Sequence, residues 1–218
     1  MLELSRIPVG PPDRWGELCV IPGGPGLVVF AHCNGHARES QRSLQVARRL
    51  QQRELSTLVF DLLSPRELDD PYNPTDIALL TARLQDALAA LPEPVRGLPL
   101  GLFASGPGAA AALALAAQQP GRVAAIVSRG GRPDLAGDAL AAVTTPTMLI
   151  VGALDTDVLE LNRRACAQLT CERCIELVPR ATHLFLEAGA LDTVALRAGD
   201  WFVAHLRKNH GPPANRAG

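Results

Sequence analysis

This sequence has very little lysine and no large excess of positive or negative charge. Lys208 is the single lysine among 21 basic residues, and the formal net charge is −1 at pH 7. Basic and acidic side chains are interspersed instead of gathered in runs, so the chain offers no electrostatic footprint for a phosphate polymer or an anionic membrane. We therefore expect neither nucleic acid nor a membrane as partner.

Long apolar runs are also missing. No stretch reaches the roughly 18 apolar residues that a membrane-spanning helix requires. The first six residues lack the charged and apolar regions of a signal peptide. Both absences predict a cytoplasmic protein.

Cysteine is present in an odd number, five, which does not suggest a disulfide framework. Cys171 and Cys174 have the spacing of a metal-binding pair, with Cys166 nearby, but a fourth ligand and a second close pair are absent. The sequence therefore predicts mostly buried thiols, no metal site and no cofactor.

Hydrophobic residues make up 47% of the 218 positions, enough for one globular domain. Short apolar runs alternate with segments of helical period, which is typical of an α/β fold with a mostly parallel, doubly wound sheet and helices on both faces. We predict one domain over 1–207, with a disordered tail over 208–218. The predicted strands are Leu2–Val9 and Trp15–Ile21 as an antiparallel edge, then Leu27–His32, Thr57–Asp61, Leu98–Phe103, Val123–Ser128, Thr147–Val151 and Cys174–Val178. The predicted helices are Arg38–Gln52, Thr75–Leu91, Pro107–Gln119, Asp157–Leu169 and Leu191–Leu206.

Ligands of open parallel sheets bind at the carboxyl ends of the strands, and four such ends carry suggestive residues. They are 32–36, 103–108, 151–155 and 179–183. A strand-turn-helix bend, then an acid after a later strand, then a histidine near the end is the chain order of the α/β-hydrolase fold.

Because the polar strand ends follow this chain order, the sequence resembles the dienelactone hydrolase-like α/β-hydrolases from about Leu27 to Leu206. The resemblance implies an α/β-hydrolase fold without a lid domain and an ancestry in ester or lactone hydrolysis. The matching stretches are Val29–His32, Phe60–Pro65, Gly101–Phe103, Gly108–Leu113, Ser128–Leu135 and Ala181–Phe185.

The family's nucleophile motif, G-A-S-T-G, aligns with Ala104 to Gly108 and places Gly106 where the nucleophilic serine stands. The bend itself favours this register, because it needs small residues two before and two after the nucleophile. Ser105 as a substitute nucleophile would have Phe103 and Pro107 at those positions, which are bulky. Pro107 also has no backbone N–H to stabilise an oxyanion.

Asp155 and His183 occupy the family's acid and base positions. There a carboxylate would orient the imidazole and stabilise its protonated form. An alternative stays open, in which Asp155 caps the following helix and His183 only makes loop hydrogen bonds.

Two further groups are candidates for the oxyanion site or the pocket. In the family, the histidine that corresponds to His32 is usually followed by Gly-Ser-Gly-Ser, whereas Cys33, Asn34 and His36 follow it here. Cys33 could be a reactive thiol or a small buried residue. Arg129 and Arg132 could bind a substrate carboxylate, or an internal ion pair with Asp134 could account for them instead.

Three functional hypotheses follow for a small carbonyl ligand or substrate. The first is an enzyme that uses His183 and Asp155 as a general-base dyad without a covalent nucleophile. The second is a ligand-binding pseudo-hydrolase without turnover. The third is an esterase with Ser105 or Cys33 as a substitute nucleophile.

Overall fold

A computed structural model describes residues 4–10, 14–32 and 41–208. In this part of the chain one eight-stranded sheet has the order β1-β2-β4-β3-β5-β6-β7-β8. The first two strands are antiparallel at one edge, and β3 to β8 are parallel. The strands are β1 (Leu4–Pro8), β2 (Trp15–Cys19), β3 (Leu27–His32), β4 (Ser56–Asp61), β5 (Leu100–Gly106), β6 (Ala125–Gly131), β7 (Thr147–Gly152) and β8 (Arg173–Val178). The predicted fold class and the antiparallel edge are confirmed.

Helices cover both faces of this sheet. Two short 3-10 segments, Asn73–Thr75 and Pro133–Ala142, accompany them. The helices are α1 (Gln41–Gln51), α2 (Pro65–Leu68), α3 (Ile77–Ala89), α4 (Glu93–Arg96), α5 (Gly108–Gln118), α6 (Thr156–Gln168) and α7 (Ala190–Lys208).

The central strands are buried on both sides, as their continuous apolar runs predict. Because strand side chains alternate between faces, Leu27 and Val29 of β3 pack into one hydrophobic cluster, and Val28 and Phe30 into another. Side chains of α3 and α5 complete the first cluster, and side chains of α1 and α7 complete the second. The central strands of the sheet are therefore held between two apolar layers.

Two predicted boundaries differ from the structure in ways that affect the site. Strand β6 continues three residues past Ser128, so Arg129 lies within the ladder, opposite Ser105 and Ile150, and not in a loop. Backbone pairing on both sides overrides the low strand propensity of the Arg-Gly-Gly sequence. At the other end, α7 extends through Lys208, where we predicted the tail to begin; the rest of that tail lies outside the described residues.

No helix in the described ranges combines the length and the apolar character needed to cross a membrane.

Candidate active site

The turn between β5 and α5 has its tip at Gly106. This residue has φ +51°, in the left-handed region that favours glycine, and a Cβ built on it would have no atom of the described residues within 4 Å. A Cβ on Gly108, by contrast, would lie 2.3 Å from the carbonyl oxygen of Ala31. The start of α5 therefore touches the backbone of β3, while the tip of the turn bears no side chain and is not crowded by any described residue.

Pro107 follows as the residue that caps α5. Its φ of −62° and ψ of −23° are already helical, and its carbonyl accepts the first hydrogen bonds of the helix, from the N–H groups of Ala110 and Ala111. Proline has no N–H, so the residue after the turn's tip cannot donate to an oxyanion.

Ser105 lies on the strand side of the turn. It is the last residue of β5 before Gly106, partly buried, and paired with Arg129 of β6. By strand alternation its side chain belongs to the face of Phe103, which is covered by α1 and α7. It does not stand at the tip.

Asp155 and His183 form a close polar pair at this edge. Asp155 Oδ2 lies 2.7 Å from His183 Nδ1, and the side chains are 14% and 53% exposed respectively. Although Asp155 is the N-cap residue of α6, its side chain makes no capping hydrogen bond. The carboxylate thus contacts Nδ1 of the imidazole, and no described residue makes a hydrogen bond to Nε2.

The loop that carries His183 is fixed by close contacts on both sides. A Cβ on Gly152, the last residue of β7, would lie 2.4 Å from the carbonyl oxygen of Ala181. The N–H and hydroxyl of Thr182 both donate to Glu187 Oε1, at 3.0 and 2.6 Å. These contacts place the histidine next to Asp155.

His183 also lies above the end of β6. A Cβ on Gly130 would be 3.7 Å from His183 Cε1 and 3.3 Å from Phe185 Cε2. The imidazole therefore approaches the strand next to the one that ends at Gly106, which brings base and turn to the same edge of the sheet.

The two candidate arginines have different surroundings. Arg132 makes a two-pronged ion pair with Asp134, at 2.9 Å from Nε to Oδ1 and 2.7 Å from Nη2 to Oδ2, which raises the pKa of its guanidinium. Arg129 has no carboxylate partner in the described part of the chain, and burial is the main cause that lowers its pKa to about 10. Among the described residues Arg132 is thus paired with a carboxylate, and Arg129 is not.

Two more residues lie at this edge: His32, which the sequence analysis placed at a strand end and in a stretch that matches the family, and Arg42, which it did not single out. His32, at the end of β3, is buried; its Nε2 is 3.2 Å from the hydroxyl of Ser43, and burial, with smaller effects from Arg129 and Arg42, lowers its pKa to about 3. Arg42, in the first turn of α1, reaches the carbonyl of Leu184. Only the fold brings Arg42 here, and no signal in the sequence marks it.

The candidates Cys33, Asn34 and His36 lie outside the described residues. The remaining cysteines are free thiols, and only Cys19 is buried. The prediction of mostly buried thiols is wrong for Cys166, Cys171 and Cys174, which are only partly buried. Cys174 lies in the edge strand β8, Cys171 lies just before that strand, and Cys166 lies in the neighbouring helix α6. Burial still raises the pKa of Cys174 to about 11, and the described part contains no group of three or more side chains placed to hold a metal.

A mostly parallel sheet with a strand-turn-helix bend after β5, an acid after β7 and a histidine after β8 defines the α/β-hydrolase fold. A solved dienelactone hydrolase from Anabaena variabilis is 41% identical, with a TM-score of 0.88, over 95% of this chain and 99% of that one. The chain belongs to the dienelactone hydrolase family.

Other comparisons add detail. A dienelactone hydrolase-like promiscuous phosphotriesterase from metagenomic libraries shares the fold at 20% identity and a TM-score of 0.73, covering 94% of this chain and 98% of that one. Two curated sequences from Mycobacterium tuberculosis, strains CDC 1551 and H37Rv, are 48% identical over 207 residues and are named provisionally as phosphoribosyl transferases. They match 94% of this chain, which spans about half of their length (46%). No protein-family model matches the chain.

Proposed function

We propose that the protein hydrolyses a small ester or lactone by direct attack of water, with His183 and Asp155 as a general-base dyad and no acyl-enzyme. The observation that carries the proposal is the 2.7 Å contact between Asp155 Oδ2 and His183 Nδ1. It leaves His183 Nε2 as the free base at the edge where Gly106 offers an open position.

The reaction needs no group beyond these and water. Nε2 removes a proton from water as the water oxygen bonds to the carbonyl carbon, and Asp155 stabilises the imidazolium that results. The tetrahedral intermediate then expels the alkoxide as the carbon–oxygen bond breaks. The alkoxide takes the proton back from Nε2, so the histidine returns to its neutral form.

Covalent catalysis is the less favoured route for this chain. Gly106 has no side chain to form an acyl-enzyme, and Pro107 has no N–H for the oxyanion. In enzymes that use a triad, loss of the nucleophile costs about 10⁶-fold in turnover and loss of one oxyanion donor about 10²- to 10³-fold. Water attack guided by a base avoids the first loss altogether.

The proposal also covers the protein's cellular location and its substrate. We propose that it acts in the cytoplasm on a small-molecule carbonyl compound, without a metal or an organic cofactor. The name of the mycobacterial relatives belongs to proteins about twice as long, and the half matched here has a hydrolase fold. We do not propose phosphoribosyl transfer for this chain.

The test is hydrolysis of p-nitrophenyl acetate and a small lactone by matched variants. His183→Ala should lower kcat/KM by about 10²- to 10⁴-fold, because the general base is gone. Asp155→Asn should lower it by about 10-fold or more, because the amide cannot stabilise the imidazolium. Asp157→Asn removes a carboxylate two residues away that is exposed on α6 and should leave the rate unchanged.

Pre-steady-state kinetics separate the proposal from its rivals. Direct attack by water predicts no initial burst of p-nitrophenol. It also predicts that any labelling by fluorophosphonate or iodoacetamide leaves the activity unchanged. Inactivating label on Ser105 or Cys33 would establish a substitute nucleophile instead. No turnover in wild type, with labelling and burst appearing in Gly106→Ser/Pro107→Thr, would indicate a pseudo-hydrolase with an inherited base.

A further inference from the structure

Strand β6 contains a β-bulge where it lies beside the turn at Gly106. Ser105 of β5 pairs with Arg129, and the next residue, Gly106, pairs with Gly131. Gly130 is therefore an extra residue on the β6 side of the ladder. It has φ +52°, a left-handed conformation that glycine adopts without strain. Bulges of this kind bend the strand and redirect the residues at its end.

This β6 bulge touches both parts of the proposed site. The N–H of Arg132 donates to the carbonyl oxygen of Gly106 at 2.9 Å, which ties the strand to the tip of the turn. A Cβ on Gly130 would lie 3.7 Å from His183 Cε1 and 3.4 Å from the His183 carbonyl oxygen. A displacement of the bulge would therefore change the position of the turn relative to the histidine.

Asn162 of α6 holds the β6 bulge from the other side. Its side chain is fully buried, and Nδ2 donates to the carbonyl oxygen of Gly131 at 3.1 Å. The pairing of β6 with β7 ends at Arg129 and Ile150, so that carbonyl lies beyond the last ladder partner on the β7 side. The second hydrogen of Nδ2 goes to the carbonyl oxygen of Val158, 2.8 Å away and one helical turn earlier. The amide thus links α6 to the bulge.

Stability alone does not account for an asparagine at this position. Asn162 Oδ1 is sealed from solvent and has no hydrogen-bond partner among the described residues. A buried acceptor without a partner disfavours the folded state, and an apolar side chain would avoid that cost. What the amide supplies, and an apolar side chain cannot, is the hydrogen bond to Gly131.

Helix α6 also carries the acid of the proposed dyad. Asp155 is its N-cap residue, and Asn162 follows seven positions later, which is about two helical turns and places both on one face. Asp155 contacts His183 Nδ1 at 2.7 Å, while Asn162 contacts the strand whose bulge lies beside the same ring. One helix therefore sets the acid, the base and the turn relative to one another.

We infer that Asn162 is a positioning residue: through its hydrogen bond to Gly131 it fixes the β6 bulge, and thereby the placement of His183 relative to the turn at Gly106. Its effect on rate rests on the proposed function, whereas its effect on geometry does not. Asn162 touches no reacting atom, so its contribution is the orientation of the base toward the bound carbonyl compound. A misplacement of about 1 Å in such an orientation costs up to about 10²-fold in rate.

Two variants separate the bond to Gly131 from the bond within the helix. Asn162→Leu keeps the number and branching of the side-chain heavy atoms and removes both hydrogen bonds. Asn162→Thr keeps a hydroxyl that can donate to the carbonyl of Val158, but its side chain is too short to reach Gly131. Both variants should lower kcat for p-nitrophenyl acetate by about 10- to 100-fold, with KM changed by less than about 2-fold, because contacts to the ground state remain.

Hydrogen exchange and NMR measure the geometry without turnover. In both variants the amide of Arg132 should exchange at least about 10-fold faster than in wild type, because its bond to Gly106 opens more often. The Cε1–H resonance of His183 should shift, because the bulge beside the ring moves. Leu159→Val is the matched control, since it shortens a buried side chain of the same helix outside these hydrogen bonds. It should leave the rate, the exchange and the resonance as in wild type.

Wild-type exchange of the Arg132 amide in the variants would overturn the inference, and so would a wild-type kcat. A loss in Asn162→Leu that Asn162→Thr fully restores would also overturn it, because the amide would then serve only its own helix. Should Asn162→Leu fail to fold, Asn162→Thr decides the outcome. Faster exchange and a shifted His183 resonance in a protein without hydrolysis would remove the proposed function and leave the positioning role standing. Hydrolysis that depends on His183 but not on Asn162 would do the reverse.

Discussion

Two glycines separated by one residue serve different physical purposes at the turn after β5. Gly106 has a backbone conformation that favours glycine, with no atom of the described residues within 4 Å of the place where a Cβ would be. Gly108 has an ordinary backbone conformation but no room, because α5 begins against the carbonyl of Ala31. Glycine is favoured at position 106 by backbone strain and at position 108 by steric contact.

Alanine substitutions should distinguish these two causes. Gly106→Ala should cost about 1–2 kcal/mol of unfolding free energy, the usual penalty for a side chain in the left-handed region. Gly108→Ala should cost more, about 3 kcal/mol or above, since a backbone oxygen at 2.3 Å must move. Urea denaturation of both variants measures the difference, and equal costs would contradict the close contact between α5 and β3.

Helix α5 is the element that fixes the turn at Gly106 in place. All of its residues from Gly108 to Ala116 are buried, and most of them are alanines. It lies against β5 and β6 on one side and α3 on the other, so small side chains are required nearly all around it. The alanine run follows from this close packing and is not a low-complexity feature.

Enlarging one of these alanines should therefore be costly. Ala112→Leu adds a branched side chain at a fully buried position and should lower the unfolding free energy by about 1–3 kcal/mol through overpacking. Ala117→Leu, at the partly exposed end of the same helix, is the matched control and should change stability by less than about 0.5 kcal/mol. A similar cost at both positions would show that α5 is not tightly enclosed.

Across the whole molecule, the site depends on charges and rings that separate elements bring to one edge of the sheet. His32 comes from β3, Arg42 from α1, Arg129 from β6, Asp155 from the start of α6 and His183 from the loop after β8. Burial lowers the pKa of His32 from its ordinary value near 6.5 to about 3 in the folded protein. The unfolded chain thus binds a proton on this residue over a pH range in which the folded chain does not.

Stability should therefore fall as the pH decreases from about 6.5 toward 3, since protons favour the state that binds them. Between pH 6 and pH 5 the slope of unfolding free energy against pH should be steeper in wild type than in His32→Gln by about 1 kcal/mol per pH unit. Urea titrations at several pH values measure both slopes. Parallel slopes would mean that His32 takes up its proton in the folded state as well.

The sequence by itself determined the fold class and the order of the polar strand ends, because hydrophobic periodicity and the glycine and proline turns are local properties. The alternation of buried runs with helical segments predicted the parallel sheet, and the run from Ala104 to Gly108 predicted a bend at Gly106. The spacing of Asp155 and His183 indicated a pair only through family resemblance.

The tertiary structure alone decided which charges have partners. Arg129 and Arg132 look equivalent in the sequence, three residues apart in one polar segment, yet Arg132 pairs with Asp134 while Arg129 is half-buried beside Arg42 and Phe185. Arg42 is 87 positions away from Arg129 along the chain, and no local pattern could have connected them. Electrostatic energy depends on distance and burial in three dimensions, so the proximity of Arg129 to Arg42 became visible only when α1 and β6 came together.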